Sequence, residues 1–150
     1  MTEITTADWQ RVEIAPYGAV LHLPAGWETL PPVPSNGPEV VRATGGPDKH
    51  LILFKLPTRN RPALEVAASA KDRLAAHGFE DFTLTPARFA GTDGAVLEFV
   101  SRDGGGGLLR RTREYFAVRG GAAFILGMGS SAWERQVPLI EAIADRFELS

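Results

Sequence analysis

The chain of 150 residues contains no cysteine. That absence excludes disulfide cross-links, thiolate nucleophiles and cysteine-ligated zinc together, and it agrees with a reducing compartment. An excess of one charge sign is missing too. Sixteen Lys and Arg stand against 18 Asp and Glu, a formal net charge of −2, which is not the basic balance of a nucleic-acid-binding chain. No apolar run approaches the length that crosses a bilayer. The N-terminal MTEITTADWQRVEI has neither a basic segment leading into an apolar stretch nor a lipid-anchor motif. These features set cytoplasmic location as the expectation. No catalytic signature stands out, so architecture is easier to read here than function.

What is present is ordinary for a globular protein: 44% hydrophobic and 23% charged residues, in a length suited to a single domain over 1–150. Residues 94–129 dominate. Three runs crowded with Val, Ile, Phe, Tyr and Leu are separated by glycines at 104–107 and at 120–121. Glycine supplies the positive φ that tight reversals need, so the stretch predicts a three-stranded antiparallel meander at the centre of a sheet. If Gly120 and Gly121 form a two-residue turn, Glu98 falls opposite Arg113 as an opposite-charge pair. One face then carries Leu97, Phe99, Thr112, Phe116, Val118, Ala123 and Ile125. The other carries Val96, Val100, Arg111, Arg113, Tyr115, Phe124, Leu126 and Met128. Both are substantially apolar, so both should be covered, by a helix on each side or by helices on one side and a partner on the other.

The rest of the chain reads as lesser elements. Residues 11–23 form strand-like runs around a turn at Pro16, Tyr17 and Gly18. The proline-rich TLPPVPSNGPE at 29–39 predicts an exposed loop. Residues 40–43 are a short strand, and 50–56 a strong one whose nearly continuous apolar character suggests burial on both faces. Asn60, Arg61 and Pro62 open a helix to about His77, with Leu64, Ala67, Ala68, Lys71, Leu74 and Ala75 on one face and Gly78 as a left-handed cap. Residues 82–90 make a strand whose Pro86 suits a sheet edge. A capping box at Ser131, Ala132, Trp133 and Glu134 starts the last helix, over 133–147. Its stripe is Trp133, Val137, Ile140, Ala144 and Phe147, and Pro138 conflicts with an unbroken helix.

The order of these elements, with LPAGW at 23–27, REYF at 113–116 and a closing helix ending in DRF, resembles the Mog/PsbP-like superfamily, which includes PsbP-like, DcrB-like and LpqN-like bacterial proteins. The similarity covers most of residues 17–147. It implies an α+β fold, an antiparallel β-sheet meander sandwiched by helices, and members that act as binding, adaptor or accessory proteins more than as enzymes. DcrB-like adaptors of type VI secretion are similar in length and also lack a leader. Many LpqN-like members carry a lipid anchor that this chain does not show, which weighs against a cell-surface role.

Candidate chemistry is sparse. His22, His50 and His77 lie on different elements without ligand spacing, so surface or packing roles outweigh a metal site. Ser130 and Ser131 lack the nucleophile-elbow pattern. Residues 127–131 form a strand-to-helix turn that could hold a phosphate on free amides, but without phosphate-loop spacing Ser131 as a plain N-cap is the stronger reading. Arg110, Arg111, Arg113 and Arg119 are the only basic cluster. A solvated face paired with Glu98 and Glu114 outweighs an acidic-ligand site there. Trp9 and Trp27 read as core anchors ahead of partner-binding groups.

No cofactor and no nucleic acid is implied. The expected function is a non-enzymatic protein-binding adaptor, chaperone or accessory protein. Its partner-binding strip would be Val96, Arg111, Arg113, Tyr115, Phe124 and Met128, if a helix leaves that face open for a hydrophobic peptide segment. The alternative is a small-molecule or lipid pocket between sheet and helix. Homodimerisation through an edge strand or the open face is left open.

Overall fold

The computed structural model describes residues 4–33, 38–102 and 109–150. Seven antiparallel strands make the main sheet in the order β3-β4-β5-β9-β8-β7-β6. They are β3 (Glu28–Leu30), β4 (Glu39–Gly46), β5 (Lys49–Pro57), β6 (Glu80–Phe89), β7 (Thr92–Arg102), β8 (Leu109–Arg119) and β9 (Ala122–Ser130). A second sheet of three strands joins β1 (Gln10–Ile14), β2 (Ala19–Leu23) and β10 (Glu148–Leu149) in the order β1-β2-β10. Helix α1 is Ala63–Ala76 and helix α2 is Trp133–Asp145.

The meander forms with the register its sequence specifies. Arg119 pairs Ala122 across Gly120 and Gly121, whose φ angles of 59° and 78° are both positive, as a two-residue turn that follows strand twist requires. Glu98 pairs Arg113. The glycines expected to close the other hairpin, 104–107, lie outside the described residues, as do 34–37 of the proline-rich loop. Pro86 sits on β6, an edge strand, where a missing amide breaks no internal ladder.

The two faces bury different cores. On one, Ala95, Leu97, Phe99, Phe116, Ala123 and Ile125 pack with Ala63, Val66, Ala67 and Ala70 of α1. On the other, Leu51, Leu53, Tyr115, Leu126 and Met128 pack with Ile140, Ile143, Ala144 and Phe147, and with Leu21 and Leu23 of the small sheet. That face therefore has two covering elements where the other has one. The difference matters because α1 lies mainly across β6, β7 and β8, whereas α2 lies over β8 and β9.

Four local expectations need correcting. The buried stripe of α1 is Ala63, Val66, Ala67 and Ala70, and Leu64 is 43% exposed. In a helix this rich in alanine, one leucine is a poor guide to which side faces in. Residues 28–30 add a short edge strand to β4 where a loop was expected, since the prolines begin only at Pro31. Helix α2 starts at Trp133 and runs through Pro138, which removes one hydrogen-bond donor without ending it. Its N-cap position is Ala132, not Ser131. The free amides are met instead by Asp48 from the β4–β5 turn. Its Oδ1 accepts from the Ser131 amide at 2.9 Å, its Oδ2 from the Ser130 hydroxyl at 2.7 Å, and Ser130 Oγ accepts from the Ala132 amide at 2.9 Å. The cradle that could have held a phosphate thus already holds a carboxylate.

A cleft between the first helix and the sheet

Because α1 sits mainly over β6, β7 and β8, the side chains that β5 sends toward it are only partly covered. Phe54 and Leu56 of β5 are half-buried beside the sealed Leu51 and Leu53. The uncovered ground is a cleft of about 310 Å3. It is lined by Phe54, Leu56 and Ile125 from the sheet, Ala70, Arg73, Leu74 and His77 from α1, Pro38 from the adjoining loop, and Glu114. Its volume falls at the low end of the roughly 300–1,000 Å3 typical of small-molecule sites.

Helix α1 holds its wall firmly. Arg61 Nη1 donates to Ser69 Oγ at 2.9 Å, and the C-terminus closes on Gly78 at φ 91°, with the Phe79 amide reaching the Leu74 carbonyl at 3.1 Å. Thr58, buried just before the helix, donates its amide to the Gly121 carbonyl at 3.0 Å, tying this corner to the meander turn.

Glu114 is the chemically distinct member. On β8 it alternates with Thr112, Phe116 and Val118 toward the α1 side. Its cross-strand neighbour on β9 is Gly127. A Cβ on Gly127 would sit 3.7 Å from Glu114 Oε2, ordinary contact, so the glycine leaves room above the carboxyl without straining the strand. Enclosure by protein disfavours the ionised form and pushes the Glu114 carboxyl up from 4.5 to about 7, against a smaller downward pull from Arg73. No hydrogen-bond donor reaches that carboxyl among the described residues. The sequence reading paired Glu114 with the arginines of its own strand. Arg111, Arg113 and Arg119 lie on the opposite face, because neighbours in a strand point apart, and Arg110, on Glu114's side, is turned to the Gly129 carbonyl at 3.4 Å.

The arginine face is satisfied from within. Arg113 Nη2 lies 2.8 Å from Glu98 Oε2, and Nη1 donates to the Tyr115 hydroxyl at 3.0 Å and to Glu141 Oε1 at 3.4 Å. Burial works against the Arg113 charge, but the bonds to Tyr115 and Glu98 prevail and raise its pKa further. Arg111 reaches Glu98 Oε1 at 3.4 Å, and both guanidinium groups stand over the Trp133 ring. Of the six residues expected to form a partner-binding strip, Tyr115, Phe124 and Met128 are 8, 4 and 2% exposed, and Val96 packs against the same core. The apolar half of that strip is interior because α2 and the small sheet cover this side. Only Arg111 retains substantial exposure. Among the histidines, His22 pairs with Glu148 Oε2 at 2.5 Å and joins β10 to β2, His50 is exposed on β5, and His77 caps α1 at the cleft.

Three solved structures share this architecture. Cyanobacterial PsbP (CyanoP) from Synechocystis sp. PCC 6803 superposes with a TM-score of 0.72 at 15% identity, over 100% of this chain and 97% of that one. LpqN of Mycobacterium tuberculosis, involved in cell envelope biogenesis, gives 0.58 at 18% identity over 95% and 90%. PA94 of Pseudomonas aeruginosa, a protein of unknown function, gives 0.53 at 12% identity over 93% and 96%. The chain has the Mog/PsbP-like fold. No family model and no curated protein matches the sequence. At these identities the Mog/PsbP-like likeness is one of fold, and what the cleft does has to be argued from its own residues.

Proposed function

We infer that this chain is a non-catalytic binding protein whose ligand is a small, mostly apolar molecule held between α1 and the sheet. The observation that carries this is the cleft itself: a cavity of about 310 Å3, walled by Phe54, Leu56, Leu74 and Ile125, with one half-buried carboxyl, Glu114, among its lining. Apolar walls with few polar groups are what small-molecule sites look like. An adaptor role through the arginine face would have to use Arg111 alone of the expected strip, since its apolar members are core. An accessory role also agrees with the likeness to cyanobacterial PsbP and to LpqN, the latter involved in cell envelope biogenesis.

A thermal-shift screen with small apolar fragments tests the reading. A fragment present at a hundredfold excess over its Kd should raise the melting temperature by about 5–10 °C. Gly127→Val, which puts a branched side chain over the cleft floor, should abolish that rise while folding normally. Equal stabilisation of both proteins, or none of either, would contradict the proposal.

A further inference from the structure

We propose that the molecule this cleft takes is an amphiphilic amine, whose ammonium group donates hydrogen bonds to the Glu114 carboxylate while its hydrocarbon body lies against Phe54, Leu56, Leu74 and Ile125. The inference rests on the binding role just described and names the ligand's head group. Three observations favour an amine over an acid or an uncharged head.

First, the Glu114 side chain is half-buried, borders an apolar cleft, and has no donor on it among the described residues. A carboxyl partly withdrawn from water without a partner is unfavourable, and a bound ammonium supplies both the missing charge and the missing donors. Second, the groups facing Glu114 across the cleft are arranged to permit this. The ionisable residues lining it, besides Glu114, are Arg73 and His77 of α1, and both are exposed at the mouth. Water screens their repulsion of an incoming cation, whereas the half-buried acid acts through a less polar medium. The other sheet residues lining the cleft, Phe54, Leu56 and Ile125, are uncharged, Gly127 flanks Glu114 on β9, and Arg110, farther along β8 on the same side, is turned to the Gly129 carbonyl. Third, Gly127 keeps open the space beside the carboxyl that a head group would occupy. A carboxylate ligand entering tail-first or head-first has to share this small cavity with a second acid, and one of the two must then stay protonated.

Binding is charge-conserving. The amine enters as its ammonium, Glu114 gives up any proton it carries to solvent, and no covalent bond changes. Affinity should therefore rise as pH increases from 6 to 8.5.

Calorimetric titration of the full chain with n-octylamine, n-octanol and octanoate at pH 8 separates the cases, because the three share nearly the same body and differ at the head. The amine should bind at least tenfold more tightly than the alcohol, with octanoate weakest. Glu114→Gln should bring the amine down to the alcohol's level and leave the alcohol within twofold. Arg73→Ala, an exposed change, should tighten the amine, whereas an acid-binding site would weaken for its own ligand on losing that cation. An amine preference that survives Glu114→Gln, or octanoate binding as well as octylamine, overturns the head-group assignment while octanol binding keeps the cleft itself. If none of the three binds, both fall together. Circular dichroism and melting of Glu114→Gln complete the test, since a folded variant with lost selectivity supports the pairing and an unfolded one transfers the decision to Arg73→Ala.

Discussion

Replacing Glu114 with glutamine should stabilise the free protein by an amount that grows as pH rises from about 4.5 to 7 and then stays constant. The carboxyl rises from 4.5 to about 7 in the folded state because enclosure disfavours its charge. The folded protein thus holds the proton more tightly than the unfolded chain does, and its stability must fall as pH rises from about 4.5 to 7, then level off. Each tenfold change in proton affinity is worth about 1.4 kcal/mol, which bounds the effect at about 3 kcal/mol. Solvent entering the cleft screens part of it, so about 1–2 kcal/mol is the expected size. Glutamine has nearly the same shape and no charge to desolvate. Glu114→Gln should therefore match the parent near pH 4.5 and exceed it by about 1–2 kcal/mol at pH 8, a rise of about 3–6 °C in melting temperature. Urea unfolding of both proteins at a series of pH values measures this directly. A difference that stays constant with pH, or a parent that gains on the variant as pH rises, would refute the reasoning.

Further predictions follow from other corners of the molecule. Asp48→Ala removes the carboxylate that meets the first amides of α2, and should cost about 1–2 kcal/mol by urea unfolding at pH 7. Burial tends to raise the Asp48 carboxyl, but the bonds from Ser131 and Ser130 outweigh it and hold it at about 2, so its contribution should be complete above pH 4 and lost as pH falls toward 2. Gly94→Ala would drive a Cβ into the Phe116 carbonyl between β7 and β8, and should destabilise by more than about 2 kcal/mol or prevent soluble expression. Phe124→Asp places a charge at a residue that is 4% exposed, so it should unfold the protein, visible as lost near-ultraviolet circular dichroism, and not spare the fold while removing a partner.

Several features were legible because a single strong rule governed each. The meander register followed from two adjacent glycines and period-2 alternation, and it correctly divided Phe116 and Ile125 from Tyr115 and Leu126. The α1 stripe was not legible, because alanines at 63, 67, 68, 70, 75 and 76 leave little contrast between its sides. The cap on α2 was hidden for a different reason: Asp48 is 83 residues from Ser131, and no local motif announces a partner so distant. The cleft was half legible. The near-continuous apolar run of β5 signalled two buried faces, but how far along the sheet α1 reaches depends on tertiary placement. Glu114 did carry a signal, an acid falling on the same side as Phe116 and Val118. Assigning it to the neighbouring arginines concealed that signal, although strand alternation turns Arg111 and Arg113 to the other face.

The most direct test of a ligand cleft built on Glu114 is a proton–nitrogen correlation spectrum of the labelled protein titrated with n-octylamine at pH 8. The amide signals that move should cluster at Phe54, Leu56, Leu74, Glu114 and Ile125, and in Glu114→Gln they should move only at amine concentrations at least tenfold higher. Shifts centred on Arg111, Arg113 and Trp133 on the opposite face, or a spectrum that does not change, would contradict the account.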